Sequence, residues 1–215
     1  LSTYKTPFET IPFSKIKNEH YLPALKKAIE IAQSEIQQIT SNPKKPTFEN
    51  TIVTLEETGE VINKVTSAFF NLNSANTNDE MQSIAQEISP ILTAHGNDIM
   101  MNQVLFERIK TVYDYGLKGL TQEQTTLLEK SYKSFVRNGA NLNDNDKKRL
   151  REIDTEKAQL SLTFGENVLK ESNEFKLIID QEKDLIGLPE SVVEAASITA
   201  NNEGYEHKWM FTLDY

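Results

Sequence analysis

The sequence predicts a mainly α protein, a multi-helix antiparallel bundle or layer with a small two-strand β element near the C-terminus. Three observations predict it. Apolar residues recur at steps of three and four through most of the chain, as the buried stripe of a helix requires. Cap-forming residues stand just ahead of several of these stripes. After Asn173 the period changes to two, the alternation of a strand.

Residues 1–17 carry Pro7 and Pro12 among scattered apolars (Phe8, Ile11, Phe13, Ile16) and read as an irregular arm laid over a core. Residues 18–173 read as the helical domain. Its first helix sets Leu22, Leu25, Ile29, Ala32, Ile36 and Ile39 on one stripe, with Asn18 able to cap it and Pro23 tolerable in a first turn. Ser41-Asn42-Pro43 stops it. Thr47 caps a second helix, with Phe48, Ile52, Leu55, Gly59, Ile62 and Phe69 along one side, and the Asn/Ser-rich run from Asn71 to Asn78 is too polar to continue it.

Asn78 opens a third helix carrying Met81, Ile84, Ile88, Ile91 and His95, with a kink or break expected at Pro90. A shorter helix follows Asn102 with Val104, Leu105, Ile109 and Val112, and Gly116 and Gly119 mark a loop. Thr121 and Gln124 form a capping-box pair ahead of Leu127, Leu128, Tyr132 and Phe135, with Gly139 as the C-cap. Asn143 and Asp146 open the longest pattern, to about Ser172, in which Leu150, Ile153, Leu160, Phe164 and Val168 set the period and Lys157 interrupts it. That is a rod of roughly 40 Å.

Residues 174–215 read as a small β-α-β segment. Phe175, Leu177 and Ile179 alternate as a strand over 175–179. Pro189 begins a helix with Val192, Val193, Ala196 and Ala200, ended by Asn201-Asn202-Glu203-Gly204, and 208–213 forms the second strand. A strand at the last residues has nothing after it to cover its edge, so the C-terminus reads as a cut. The start, Leu1-Ser2-Thr3-Tyr4, has neither an initiator Met nor a signal-peptide pattern and reads as processed.

With 215 residues the chain can bury a real core without staples, and it has no cysteine. That excludes disulfides, cysteine zinc sites, iron–sulfur clusters and thiol nucleophiles, while leaving the compartment open. A net charge of −9, with no basic run longer than Lys147-Lys148-Arg149, argues against nucleic acid and anionic membrane surfaces as partners. No apolar run approaches the length of a membrane span.

The chemistry-bearing residues all have plain structural readings. The three histidines (His20, His95, His207) lack a partner His four residues away, so the helical zinc pair is absent, and each reads as a surface or helix-end residue. Asn141, Asn143 and Asn145 with Glu152 have the spacing of a calcium loop, but the position needing Gly holds Asp146, and Asn143 suits a helix cap better. No Gly-x-Ser-x-Gly elbow surrounds a serine such as Ser131 or Ser134. The carboxylate pairs Glu56/Glu60 and Glu152/Glu156 read as a solvated face, and Phe69 and Phe70 as core. From the residues, the expected catalytic, cofactor-binding and metal sets in this chain are all empty.

Several stretches in order nevertheless resemble one family. They are His20-Tyr21-Leu22-Pro23-Ala24-Leu25 with Ala28-Ile29, and Pro46-Thr47-Phe48-Glu49-Asn50-Thr51. Next come Phe135-Val136-Arg137-Asn138-Gly139-Ala140-Asn141-Leu142 and then Leu150 and Ile153. Phe164-Gly165-Glu166-Asn167-Val168-Leu169 follows, and Trp209 with Thr212-Leu213-Asp214 closes the series. Together they resemble the zinc metallopeptidases that include thimet oligopeptidase, neurolysin, oligopeptidase A and the bacterial peptidyl-dipeptidases. Of these, the peptidyl-dipeptidases, which remove dipeptides from C-termini, look most alike.

The resemblance implies the N-terminal lobe of a neurolysin-like fold, an all-helical hydrolase whose two lobes face a substrate channel. It implies that the zinc motif His-Glu-x-x-His lies downstream of the matched region, so no catalytic or metal residue is carried onto any position here. Zinc would be the cofactor of a full-length parent protease, and short peptides its substrates. The lobe would wall the channel. The alternative is a self-contained helical protein-interaction module without enzymatic activity. A truncated face that includes Trp209, Phe211 and Leu213 is expected to support self-association. The location is open between cytoplasm and bacterial periplasm.

Overall fold

The computed structural model describes residues 4–213. Leu1, Ser2 and Thr3 of the expected arm, and Asp214 and Tyr215 of the expected C-terminal segment, lie outside the described residues. The chain is mainly helical with one small antiparallel sheet, and it divides into two compact units, one up to Leu160 and one from Ser161 on.

In the first unit, short 3₁₀ turns at Pro7–Glu9, Phe13–Lys15 and Asn18–His20 lead into α1, Tyr21–Thr40. Phe8 is fully exposed instead of lying over a core. α1 starts three residues later than Asn18, because the turn at Asn18–His20 is closed by the Lys17 N–H donating to His20 Nδ1 at 3.1 Å. Its stripe is buried along its whole length, at Tyr21, Leu25, Ala28, Ile29, Ala32, Ile36 and Ile39. This is the central helix, packing on α3, α4 and α5.

Thr47 caps a π turn, Phe48–Val53, that runs into the short α2, Thr54–Glu56. The expected single second helix is broken at Gly59, whose φ of +80° only glycine adopts without strain. The Gly59 N–H donates to Glu35 Oε2 of α1 at 2.8 Å, so a carboxylate sits at the start of α3, Glu60–Ala75, where the helix dipole favours it. α3 also continues to Ala75, through the polar run expected to stop it. Its inner face, including Val65, Ala68 and Phe69, is buried, and that packing overrides weak local propensity. Phe69 meets Tyr21 and Phe70 edge-to-face, each at 5.0 Å between ring centres.

α4 spans Asp79–Met100 without a break at Pro90. Buried residues on both sides, Ile88 before it and His95 after it, hold the flanking turns against α1 and outweigh the lost hydrogen bond. α5, Gln103–Asp114, and α6, Gln122–Arg137, pack on each other and on the π turn. They enclose an apolar cluster with Ile36, Ile39, Phe48 and Ile52. α6 ends in a Schellman motif, with the Ala140 N–H donating to the Phe135 carbonyl at 3.0 Å and Gly139 at φ +93°. α7, Asp144–Glu174, begins at the Asn143 cap and continues beyond Leu160.

In the second unit, β1, Leu177–Ile179, pairs antiparallel with β2, Trp209–Phe211, placing Ile178 opposite Met210. Both strands are shorter than the alternation suggested. α8, Glu190–Asn202, packs on β2, and the small side chains Ala196 and Ala200, one turn apart, let it approach the buried Met210. No helix among the described residues is long and apolar enough to cross a membrane.

Candidate functional site

Two buried polar features lie in the first unit. A cavity of about 260 Å³ is lined by Gln33, Ile36, Gln37 and Thr40 of α1, His95, Asp98 and Ile99 of α4, and Asn102. His95 lies on the α4 face toward the core, in register with Ile88 and the other buried residues of that helix, and is buried instead of being a surface residue. Its Nδ1 has no hydrogen-bond partner, and neither does Nδ2 of the buried Asn97. Burial pushes the His95 imidazole below its ordinary value of 6.5, against the opposing pull of the Asp98 carboxylate.

Asp98 is itself engaged by Arg151 of α7, at 2.7 Å between Oδ1 and Nη1, and the second Arg151 nitrogen donates to the Asn97 carbonyl at 3.5 Å. A guanidinium on the one nearby carboxylate disfavours a metal cation there. The cavity is a neutral, amide-rich recess, and it lacks a nucleophile and base in contact.

The second feature is Arg108, buried in α5. Its Nη1 donates to the carbonyls of Asn42 at 2.9 Å and Lys44 at 3.3 Å, and its Nη2 to Asn50 Oδ1 at 3.3 Å. Asn50 Oδ1 also accepts from the Thr47 N–H and the Thr51 hydroxyl, both at 2.9 Å. One cation thus ties the α1 exit to the π turn. No sequence motif points to Arg108. The available signal was its place beside Leu105, Ile109 and Val112 on the buried stripe of α5.

The residues weighed from sequence are dispersed in structural roles. His20 is exposed at its turn and His207 is exposed with φ +59°. Asn143 Oδ1 accepts the Asp146 N–H at 3.0 Å as a cap, and Glu152 pairs with Arg149 at 2.9 Å inside α7, so the calcium spacing runs from the Asn141 turn into a helix. The Ser131 hydroxyl donates to the Leu127 carbonyl, and Glu60 pairs with Lys64, which holds its carboxyl below the ordinary range. Among the described residues no three His, Asp or Glu side chains gather to hold a metal.

No family model matches the chain. Individual relatives do. The dipeptidyl carboxypeptidase of Escherichia coli is 35% identical over 208 residues, 96% of this chain and 30% of the relative. The oligopeptidase A of Haemophilus influenzae is 30% identical over 206 residues, 94% of this chain and 30% of the relative. The E. coli oligopeptidase A is 27% identical over 97% of this chain. The chain matches the N-terminal region of the thimet oligopeptidase family. It spans about a third of the length of these relatives. Members of the thimet oligopeptidase family are generally zinc-dependent. The described residues offer no donor set that fits that ion.

Proposed function

We propose that the chain is the non-catalytic N-terminal lobe of a zinc-dependent peptidyl-dipeptidase or oligopeptidase, walling the channel through which short peptides reach a catalytic domain. The observation that carries this reading is the 35% identity across 96% of the chain to an enzyme named for carboxyl-terminal dipeptide release. The described residues hold no three-ligand cluster, so the reading assigns zinc chemistry to residues outside this stretch. The role of this lobe is steric: a rigid helical wall admits extended peptides and excludes folded proteins.

The test is a chimera. The matching 208-residue stretch of the E. coli dipeptidyl carboxypeptidase is replaced by this chain. The expected result is a folded enzyme that releases dipeptides from short peptides and leaves a folded protein substrate uncut. A folded, zinc-loaded chimera with no hydrolysis of short peptides would overturn the reading.

A further inference from the structure

The sequence contains one Asn-Gly step, Asn138-Gly139, and it stands in the Schellman turn that ends α6. The fold requires the glycine there. Its φ is +93°, and a Cβ at that position would lie 2.7 Å from Leu150 Cδ2 of α7 and 3.2 Å from Leu142 Cδ1. Asparagine is thermolabile, and most so before glycine, where no side chain hinders the next backbone nitrogen from reaching the carboxamide carbon. In the closed turn the two reacting groups are held apart. The Asn138 Nδ2 donates to the Ser134 carbonyl at 2.8 Å, and the Gly139 N–H donates to the Val136 carbonyl at 3.3 Å. Asn138 has φ −96° and ψ +22°, which turns the Gly139 nitrogen away from the Asn138 Cβ about the Cα–C bond. A five-membered ring needs them on the same side.

We propose that Asn138-Gly139 is a spontaneous deamidation site gated by the C-terminus of α6, closed in the Schellman turn and reactive when that turn opens. In the open turn the Gly139 nitrogen gives its proton to water and attacks Asn138 Cγ. The new N–Cγ bond closes a succinimide ring, the Cγ–Nδ2 bond breaks, and the Nδ2 nitrogen takes up a proton and leaves as ammonia. Water then adds to one of the two ring carbonyls. Opening at Cγ leaves aspartate, and opening at the Asn138 backbone carbonyl leaves isoaspartate. Water is the only co-reactant. Helix ends open locally far more often than a whole domain unfolds, so the turn sets the rate. Either product weakens the junction of α6 with α7. A carboxylate cannot donate to the Ser134 carbonyl, and its charge stands at the end of α6 where the helix dipole disfavours an anion. Isoaspartate also lengthens the backbone by one carbon, which displaces Gly139 against Leu142 and Leu150.

The 215-residue chain is incubated in mildly alkaline buffer, with and without denaturing urea at the same pH. Conversion of Asn138 is followed by peptide mapping with isoaspartate labelling. It should be at least about tenfold slower in the folded chain than in urea. Leu150→Ala removes a side chain packed behind Gly139 and keeps the Asn-Gly step, so it should speed conversion several-fold in the folded chain and leave the rate in urea unchanged. Leu142→Ala, at the second contact, should act in the same direction and more weakly. Asn138→Gln should block conversion at this position in both conditions, because the longer side chain would have to close a larger ring. Asn138→Asp should lower the melting temperature below that of the wild-type chain. Circular dichroism of each variant checks its fold. Equal rates with and without urea, no acceleration by either folded leucine variant, or an Asn138→Asp chain as stable as the wild type would each overturn the proposal.

Discussion

α1 and α7 have the same kind of sequence pattern and opposite fates. Both carry apolar side chains at steps of three and four, yet the stripe of α1 is buried from Tyr21 to Ile39, whereas α7 buries nothing from Asp144 to Glu174. Periodicity therefore reports which face of a helix is apolar and says nothing of what covers it. α1 has α3, α4 and α5 packed around it. α7 instead leaves Ile153, Leu160, Phe164 and Val168 exposed.

The sharpest way to break this comparison is a pair of truncations. Leu25→Ala, fully buried in α1, should cost about 3–5 kcal/mol of unfolding free energy, while Leu160→Ala should change it by about 0.5 kcal/mol or less. Urea titration measures both. Similar losses at the two sites would show that α7 is packed like α1.

A smaller effect is expected from the polar tie in the same unit. Arg108→Met should cost about 2–3 kcal/mol, since it strands the carbonyls of Asn42 and Lys44 while retaining most of the side-chain volume. Loss of amide protection confined to the segment from Asn42 to Val53 would support the assigned role. Smaller again is the α6 cap: Thr121→Ala removes the acceptor of the Gln124 N–H and should cost about 1 kcal/mol by thermal unfolding.

The smallest effect is a pH slope. Burial lowers the His95 pKa in the fold, so between that lowered value and about 6.5 the unfolded chain binds a proton that the folded chain does not. His95 thus makes stability fall as pH drops through this window, with no contribution above it. The melting temperature of the wild-type chain should fall more than that of His95→Gln between about pH 7 and pH 5.5. Equal slopes would mean that His95 titrates freely.

Local signals were the legible part of the fold. The caps at Thr47, Thr121 and Asn143 each accept the expected backbone N–H, because capping depends on residues two or three positions away. What the sequence hid depends on distant partners. The break at Gly59 is fixed by Glu35, 24 residues earlier, and Arg108 reaches Asn42 across 66 residues. The burial of His95 follows from α4 packing on α1, which the residues around His95 do not encode. In the candidate site, Gln33, Gln37 and Thr40 meet His95 only through that same packing, so the recess was not legible at all.

The proposed scaffold role is tested by zinc content measured alongside peptide cleavage. The purified chain is supplied with zinc, dialysed, and assayed on short peptides after contaminating proteases have been removed. The expected result is well below one zinc per chain and no cleavage above the buffer blank. One tightly held zinc per chain together with sustained hydrolysis would contradict it.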